Sequence, residues 1–250
     1  MKNKGFSLAE VVITLAIIGV VATLTMSTVF RHRPNQEMLM LKKVYYLAGR
    51  IVNELINDED LYPANAAQTS THSGFGYDDA ATYHEVTYQG NTKFCKTFAA
   101  RMNVKGDNED AIKCESDYST PKQKETPKGT FTTIDDVVWF MPISSFRSNG
   151  KDEDGNELSN EEINEDNNRQ ATQSIYVDVN GNEGPNCLAQ NFDNTECGPK
   201  GPDRFQIHVD RWGKMSPVGQ ISQEYLDSPN NALSYMEIKA KWEKQHSSGN

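Results

Sequence analysis

Glu10 has the most demanding setting of any residue in the chain. It stands directly before residues 11–30, twenty positions without a charged side chain. A carboxylate at the lip of so apolar a run is costly to hold in its ionised form. It therefore either serves the end of a helix or has a functional partner. A second group of oxygen-bearing residues lies late in the chain. Asp178, Asn180 and Asn182 have D-x-N-x-N spacing, and Asp203 follows downstream. Hard oxygen ligands at alternate positions of a loop suit Ca2+. The EF-hand pattern then stops, with Glu183 at its sixth position and Ala189 at its twelfth. A turn rich in Asn, Asp and Gly is the plainer account of the same residues. Asp152, Asp154 and Asn156 repeat the spacing, again without Gly at position six.

Cysteines fall at 95, 114, 187 and 197. An even count in a chain with an export-type start points to disulfides, and four cysteines allow three pairings. The local pairing, Cys95 with Cys114 and Cys187 with Cys197, would close two short loops, each stabilising by roughly 3 kcal/mol through restriction of the unfolded chain. No CxxC is present, which gives a zinc or thioredoxin-type reading little support. The five histidines are scattered, and the sequence has no G-x-S-x-G, HExxH, P-loop or G-x-G-x-x-G. The chain reads as a non-enzyme that requires no cofactor, with Ca2+ the one candidate ligand.

Helices must position Glu10. Residues 11–30 would rise about 30 Å as a helix, the thickness of a bilayer core. Gly19 and the hydroxyl residues Thr14, Thr23, Thr25, Ser27 and Thr28 lie within or beside the aliphatic run. Small and hydroxylated residues allow helices to approach closely. Beyond it, Met40, Val44, Leu47, Ile51 and Leu55 recur at helical spacing, with polar residues between. One helix of roughly 75 Å over residues 7–57 is expected, with Pro34 as a possible bend. The same residues fit two other accounts. Ser7 to Glu10 has the S-x-x-E form of a capping box. Lys2 and Lys4, the apolar run and Val20-Val21-Ala22 form a passable secretion signal, although Glu10 and the continuing amphipathic helix suit it poorly.

The rest is polar. Mean hydropathy is −0.68 and net charge is −10, from 35 acids and 25 bases. Such a surface repels nucleic acid. Eight of the acids fall between 152 and 166, which reads as a solvated loop within about 150–170. Strands are expected at 83–88, 130–134, 137–141, 174–179 and 205–209, with a helix at 93–103. The fold class is α+β: a long N-terminal helix packed on a small antiparallel head of about four strands.

Residues 4–22, KGFSLAEVVITLAIIGVVA, closely resemble the class III signal of type IV pilins and type II secretion pseudopilins. The resemblance implies cleavage by a prepilin peptidase after Gly5 and N-methylation of the new first residue, Phe6. It also makes Glu10 the glutamate used in assembly. Ser7 and Ala9 are small departures, where Thr and Ile or Val are usual. The organisation expected is a leader at 1–5, a transmembrane or filament-core helix at 6–30, its amphipathic continuation at 31–60, and a disulfide-bearing head at 61–250. Implied partners are copies of the chain, other pilins or pseudopilins, the peptidase and an inner-membrane assembly platform. The chain would cross the inner membrane once, head outward, and then enter a filament in the periplasm or at the cell surface. Arg31, Arg33, Lys42 and Lys43 after the apolar run argue for the opposite orientation; the cysteines and the motif favour an outward head. The alternatives are a monomeric membrane-anchored binding protein, with Ca2+ as a candidate ligand, and a secreted domain released by ordinary signal cleavage. Pilus, secretion and DNA-uptake machines all remain open.

Overall fold

The computed structural model describes residues 8–31, 35–63, 74–106, 109–121, 129–144, 146, 172–181, 183–194, 197–229 and 234–246, with backbone alone at 24–31, 109 and 194. Two helices open the chain, α1 (Leu8–Arg31) and α2 (Gln36–Ile56). The single helix expected over residues 7–57 is therefore two. Asn35 explains the restart. Its backbone is extended and its side-chain oxygen accepts from Met38 N at 3.0 Å, which caps α2. Its amide also donates to the Tyr225 hydroxyl at 3.1 Å, inside the protein. In the sequence, Pro34 disfavours a helical residue before it.

The buried face of α2 comprises Met38, Leu41, Val44, Ala48, Ile51, Val52 and Leu55. Val44, Ile51 and Leu55 belong to the expected stripe, whereas Met40 and Leu47 are only partly buried. The true face is turned slightly toward Leu41 and Ala48, and α2 packs against a later helix, α4 (Gln220–Asp227). Lys42 Nζ donates to the Ser228 carbonyl just beyond α4 and ties the two helices together at that end.

Two small strands follow, β1 (Ala81–Tyr83) and β2 (Val86–Tyr88), paired antiparallel. The sequence suggested one strand at 83–88. His84 and Glu85 instead have φ of 47° and 65°, the left-handed pair that closes a two-residue hairpin. Helix α3 (Lys93–Ala99) is shorter than expected and presents Phe94 and Phe98 to the core.

The main sheet is a five-stranded antiparallel meander: β3 (Phe131–Thr132), β4 (Val138–Phe140), β5 (Thr172–Asp178), β6 (Arg204–Asp210) and β7 (Met215–Pro217). The expected β3–β4 hairpin forms around Asp135 and Asp136, and Asp136 takes a positive φ of 63°. The long pair β5–β6 runs from Thr172 opposite Asp210 to Asp178 opposite Arg204. Ile175, Val177, Phe205, Ile207 and Val209 point inward, while Gln206 and His208 are only partly covered. This period-two alternation fixes the register, since a one-residue slip would turn every apolar side chain outward. The final helix, α5 (Tyr235–His246), stacks Trp242 on Phe192. Disulfides join Cys95 to Cys114 and Cys187 to Cys197.

Candidate functional site

The first candidate surface is α1. From Leu8 to Thr23 every side chain is exposed, and its large apolar residues range from 45% exposure at Val11 to 86% at Leu8. Apolar groups face all sides, the composition of a helix that is covered by something other than its own head. The two hydroxyls among its described side chains are satisfied within the helix. Thr14 donates back to the Glu10 and Val11 carbonyls at 3.0 and 2.9 Å, and Thr23 to the Gly19 and Val20 carbonyls at 3.1 and 2.8 Å. These threonines can lie in an apolar medium without stranded donors. Glu10 is in the first turn, where the helix dipole favours an acid.

Gly5, Phe6 and Ser7 lie outside the described residues, so the cleavage point and the capping box do too. Among the described residues no helix is long and apolar enough to cross a membrane. Side chains of α1 are described through Thr23, and its backbone continues as helix to Arg31.

The second candidate is the turn after β5, where two of the four expected Ca2+ ligands meet. Asp178 and Asp203 are both fully buried. Burial raises the Asp178 carboxyl to about 6, with nearby Asp203 pushing the same way, against a hydrogen bond from Arg204. Arg204 is 1% exposed and its Nε donates to Asp178 Oδ2 at 2.7 Å. Asp203 accepts from two backbone N–H groups, Oδ1 from Cys187 at 2.6 Å and Oδ2 from Asn186 at 2.8 Å. Both carboxylates are thus engaged by the protein. Asn180 flanks them, while Asn182 and the 152–166 acidic run, with Asp152, Asp154 and Asn156, lie outside the described residues.

Sequence reasoning missed Asn186 and Arg204. Asn186 sits at φ 55°, where Asn is tolerated better than most residues. Arg204 follows Asp203 on a strand, and only the β5–β6 register places it opposite Asp178. Gly181 also has a structural reason. Its φ is 64°, and a Cβ there would lie 2.6 Å from the Asp136 carbonyl. This contact seats the turn against the β3–β4 hairpin. An open, polar cavity of about 540 Å³ lies alongside, lined by Lys105, Thr132, Asp136, Val138, Asn180, Gly181 and Glu183. Lys105 and Asp136 are paired across it at 2.6 Å. Among the described residues no three His, Cys, Asp or Glu side chains are grouped to hold a metal.

The model of the prokaryotic N-terminal methylation motif matches residues 1–26. No curated protein and no solved structure is significantly similar to the chain. The match supports a type IV pilin- or pseudopilin-like protein, and the α+β head behind an N-terminal helix is consistent with it. A motif of this type suggests a structural subunit rather than an enzyme, a membrane-anchored N-terminus, processing by prepilin peptidase and assembly with other pilin subunits.

Proposed function

We propose, from the methylation motif and the helix that follows it, that this chain is a structural subunit of a type IV pilus-like or type II secretion pseudopilus filament. The carrying observation is Glu10 in the first turn of an apolar helix whose side chains are exposed from Leu8 to Thr23, inside the matched motif. Cleavage after Gly5 would free an α-amino group on Phe6. Glu10 of one copy then pairs with the Phe6 amine of a neighbour, and two charges that would each be costly in apolar surroundings neutralise one another. A copy at the wrong axial height leaves both unmatched, so the pair sets the stagger. Before assembly residues 11–30 anchor the chain in the inner membrane with the head outward. Afterwards they pack in the filament core, and the disulfide-bearing head forms the surface. Other filament subunits, the prepilin peptidase and the assembly platform are the partners.

The test is Glu10→Gln expressed beside the native machinery. The head should fold with both disulfides intact, and filaments should be lost or lose their regular stagger in electron micrographs. Normal filaments with unchanged subunit spacing would remove the pairing role from Glu10.

A further inference from the structure

The last helix of the head, α5, docks on a platform that one disulfide encloses. Cys187 and Cys197 are bonded, and Phe192 lies between them, 2% exposed. The Tyr235 ring stacks on Phe192 with centroids 6.5 Å apart, and the Trp242 ring stacks on it at 5.3 Å. Tyr235 also lies on Gly201, just past Cys197. Gly201 has φ 84°, and a Cβ there would lie 2.7 Å from Tyr235 Cγ, so the ring rests directly on backbone. The near end of the loop is strapped to β6. The Cys187 carbonyl accepts from the Asp203 and Arg204 N–H groups at 3.2 and 3.0 Å, and the Ala189 N–H donates to the Arg204 carbonyl at 2.7 Å. Further on, the Gln190 carbonyl accepts from the Ile221 N–H of α4 at 3.2 Å. The disulfide carries this hold across to Cys197 and the turn that leads to Gly201. Helix α5 needs the platform, because a helix of 12 residues is marginal on its own in water.

We propose that the Cys187–Cys197 bridge is a redox latch for α5. Closed, it holds the Phe192 and Gly201 surfaces together under Tyr235 and Trp242. Opened, it frees the loop, and α5 comes away while the sheet stays folded. Most of the core, from Met38 on α2 to Val209 on β6, lies outside the loop and α5. Opening is thiol–disulfide exchange. A dithiol supplies two electrons and two protons, the Sγ–Sγ bond breaks, Cys187 and Cys197 become thiols, and the dithiol becomes a disulfide. Loop entropy sets the size of the effect. A ring with a sequence separation of 10, once opened, gains freedom worth about 100-fold in the local opening equilibrium of α5. The hydrogen bonds at the near end of the loop persist, so this is an upper bound. The latch itself needs no filament. Only its timing rests on that reading: a head delivered outside the cytosol meets oxidants there and completes α5 after export.

The experiment is hydrogen–deuterium exchange read by mass spectrometry on the full oxidised chain in detergent, beside a Cys187→Ser/Cys197→Ser variant. Peptides covering 235–246 should exchange about 10- to 100-fold faster in the variant, with peptides from β5 and β6 little changed. Dithiothreitol should produce the same change in wild type. It opens Cys95–Cys114 as well, so the control is Cys95→Ser/Cys114→Ser, which keeps the latch bridge alone. In that variant α5 should stay protected until dithiothreitol is added. It also reads the latch by itself should the first variant fail to accumulate. Unchanged protection of α5 with the bridge open would overturn the proposal. So would loss of α5 and the β5–β6 amides together, which would make the bridge a staple of the whole head. Failure here leaves the filament reading untouched.

Discussion

Replacing Lys93 by Met removes a single ammonium from the interior of the head while keeping an unbranched side chain of similar length. Lys93 is 2% exposed. Its Nζ donates to the carbonyls of Leu61, Tyr77 and Asp79 at 2.6, 3.0 and 3.1 Å. It also lies 4.7 Å from the Tyr62 ring centroid and 4.4 Å from that of Tyr77. One side chain on α3 thus ties together the segment after α2 and the segment before β1. Hydrogen bonds to a charged group contribute about 1.5–3 kcal/mol each, and cation–π contacts out of water about 1–2. Against this, the buried ammonium costs several kcal/mol of lost hydration. Leaving three carbonyls unanswered should make the net loss about 3–4 kcal/mol. For a head of this size that corresponds to a melting temperature lower by roughly 6–16 °C. The assay is urea or thermal unfolding of the oxidised full chain in detergent, followed by tyrosine and tryptophan fluorescence. A Lys93→Met variant within about 0.5 kcal/mol of wild type would refute the idea that this ammonium organises the two segments.

Asn35→Ala should cost about 1–2 kcal/mol in the same unfolding assay, from the lost cap and the lost bond to Tyr225. Asn35→Asp, which retains the cap oxygen, should lose less. Cys95→Ser with Cys114→Ser opens a loop of 19 residues and should cost about 3 kcal/mol; reductant, which opens both bridges, should destabilise wild type by more than this and the double variant only by the share of Cys187–Cys197. Asp178 has a carboxyl raised to about 6 in the folded chain, so its contribution to stability is full below the ordinary carboxylate pKa and is lost as pH rises through about 6. In Ca2+-free buffer, unfolding midpoints measured from pH 5 to 7 should fall with pH, and this slope should flatten in Asp178→Asn.

The parts of the fold that were legible depend on local pattern. Period-two alternation at 205–209 and the apolar spacing of α2 each identify an element from its own residues. The β3–β4 turn was visible because Asp135-Asp136 interrupts two β-rich runs. Contextual features were not visible. His84 and Glu85 carry no Gly to announce a hairpin, and the sharp turn comes from their paired left-handed backbones. The break before α2 depends on Asn35 meeting Tyr225, 190 positions away. In the late turn the sequence pointed to Asp178, Asn180, Asn182 and Asp203. It gave no hint that Arg204 would sit against Asp178, because cross-strand register creates that pair. Lys93 was unremarkable in the sequence for the same reason, since its partners come from two separate segments.

The central claim is that the chain is cut at Gly5 and polymerises through Glu10 and the new terminus. Intact-mass and N-terminal peptide spectrometry of protein from its native host tests this most directly. The account predicts a chain that begins at Phe6 and carries one added methyl group on its α-nitrogen. A chain that still begins at Met1, or one that begins within residues 20–24, would contradict it.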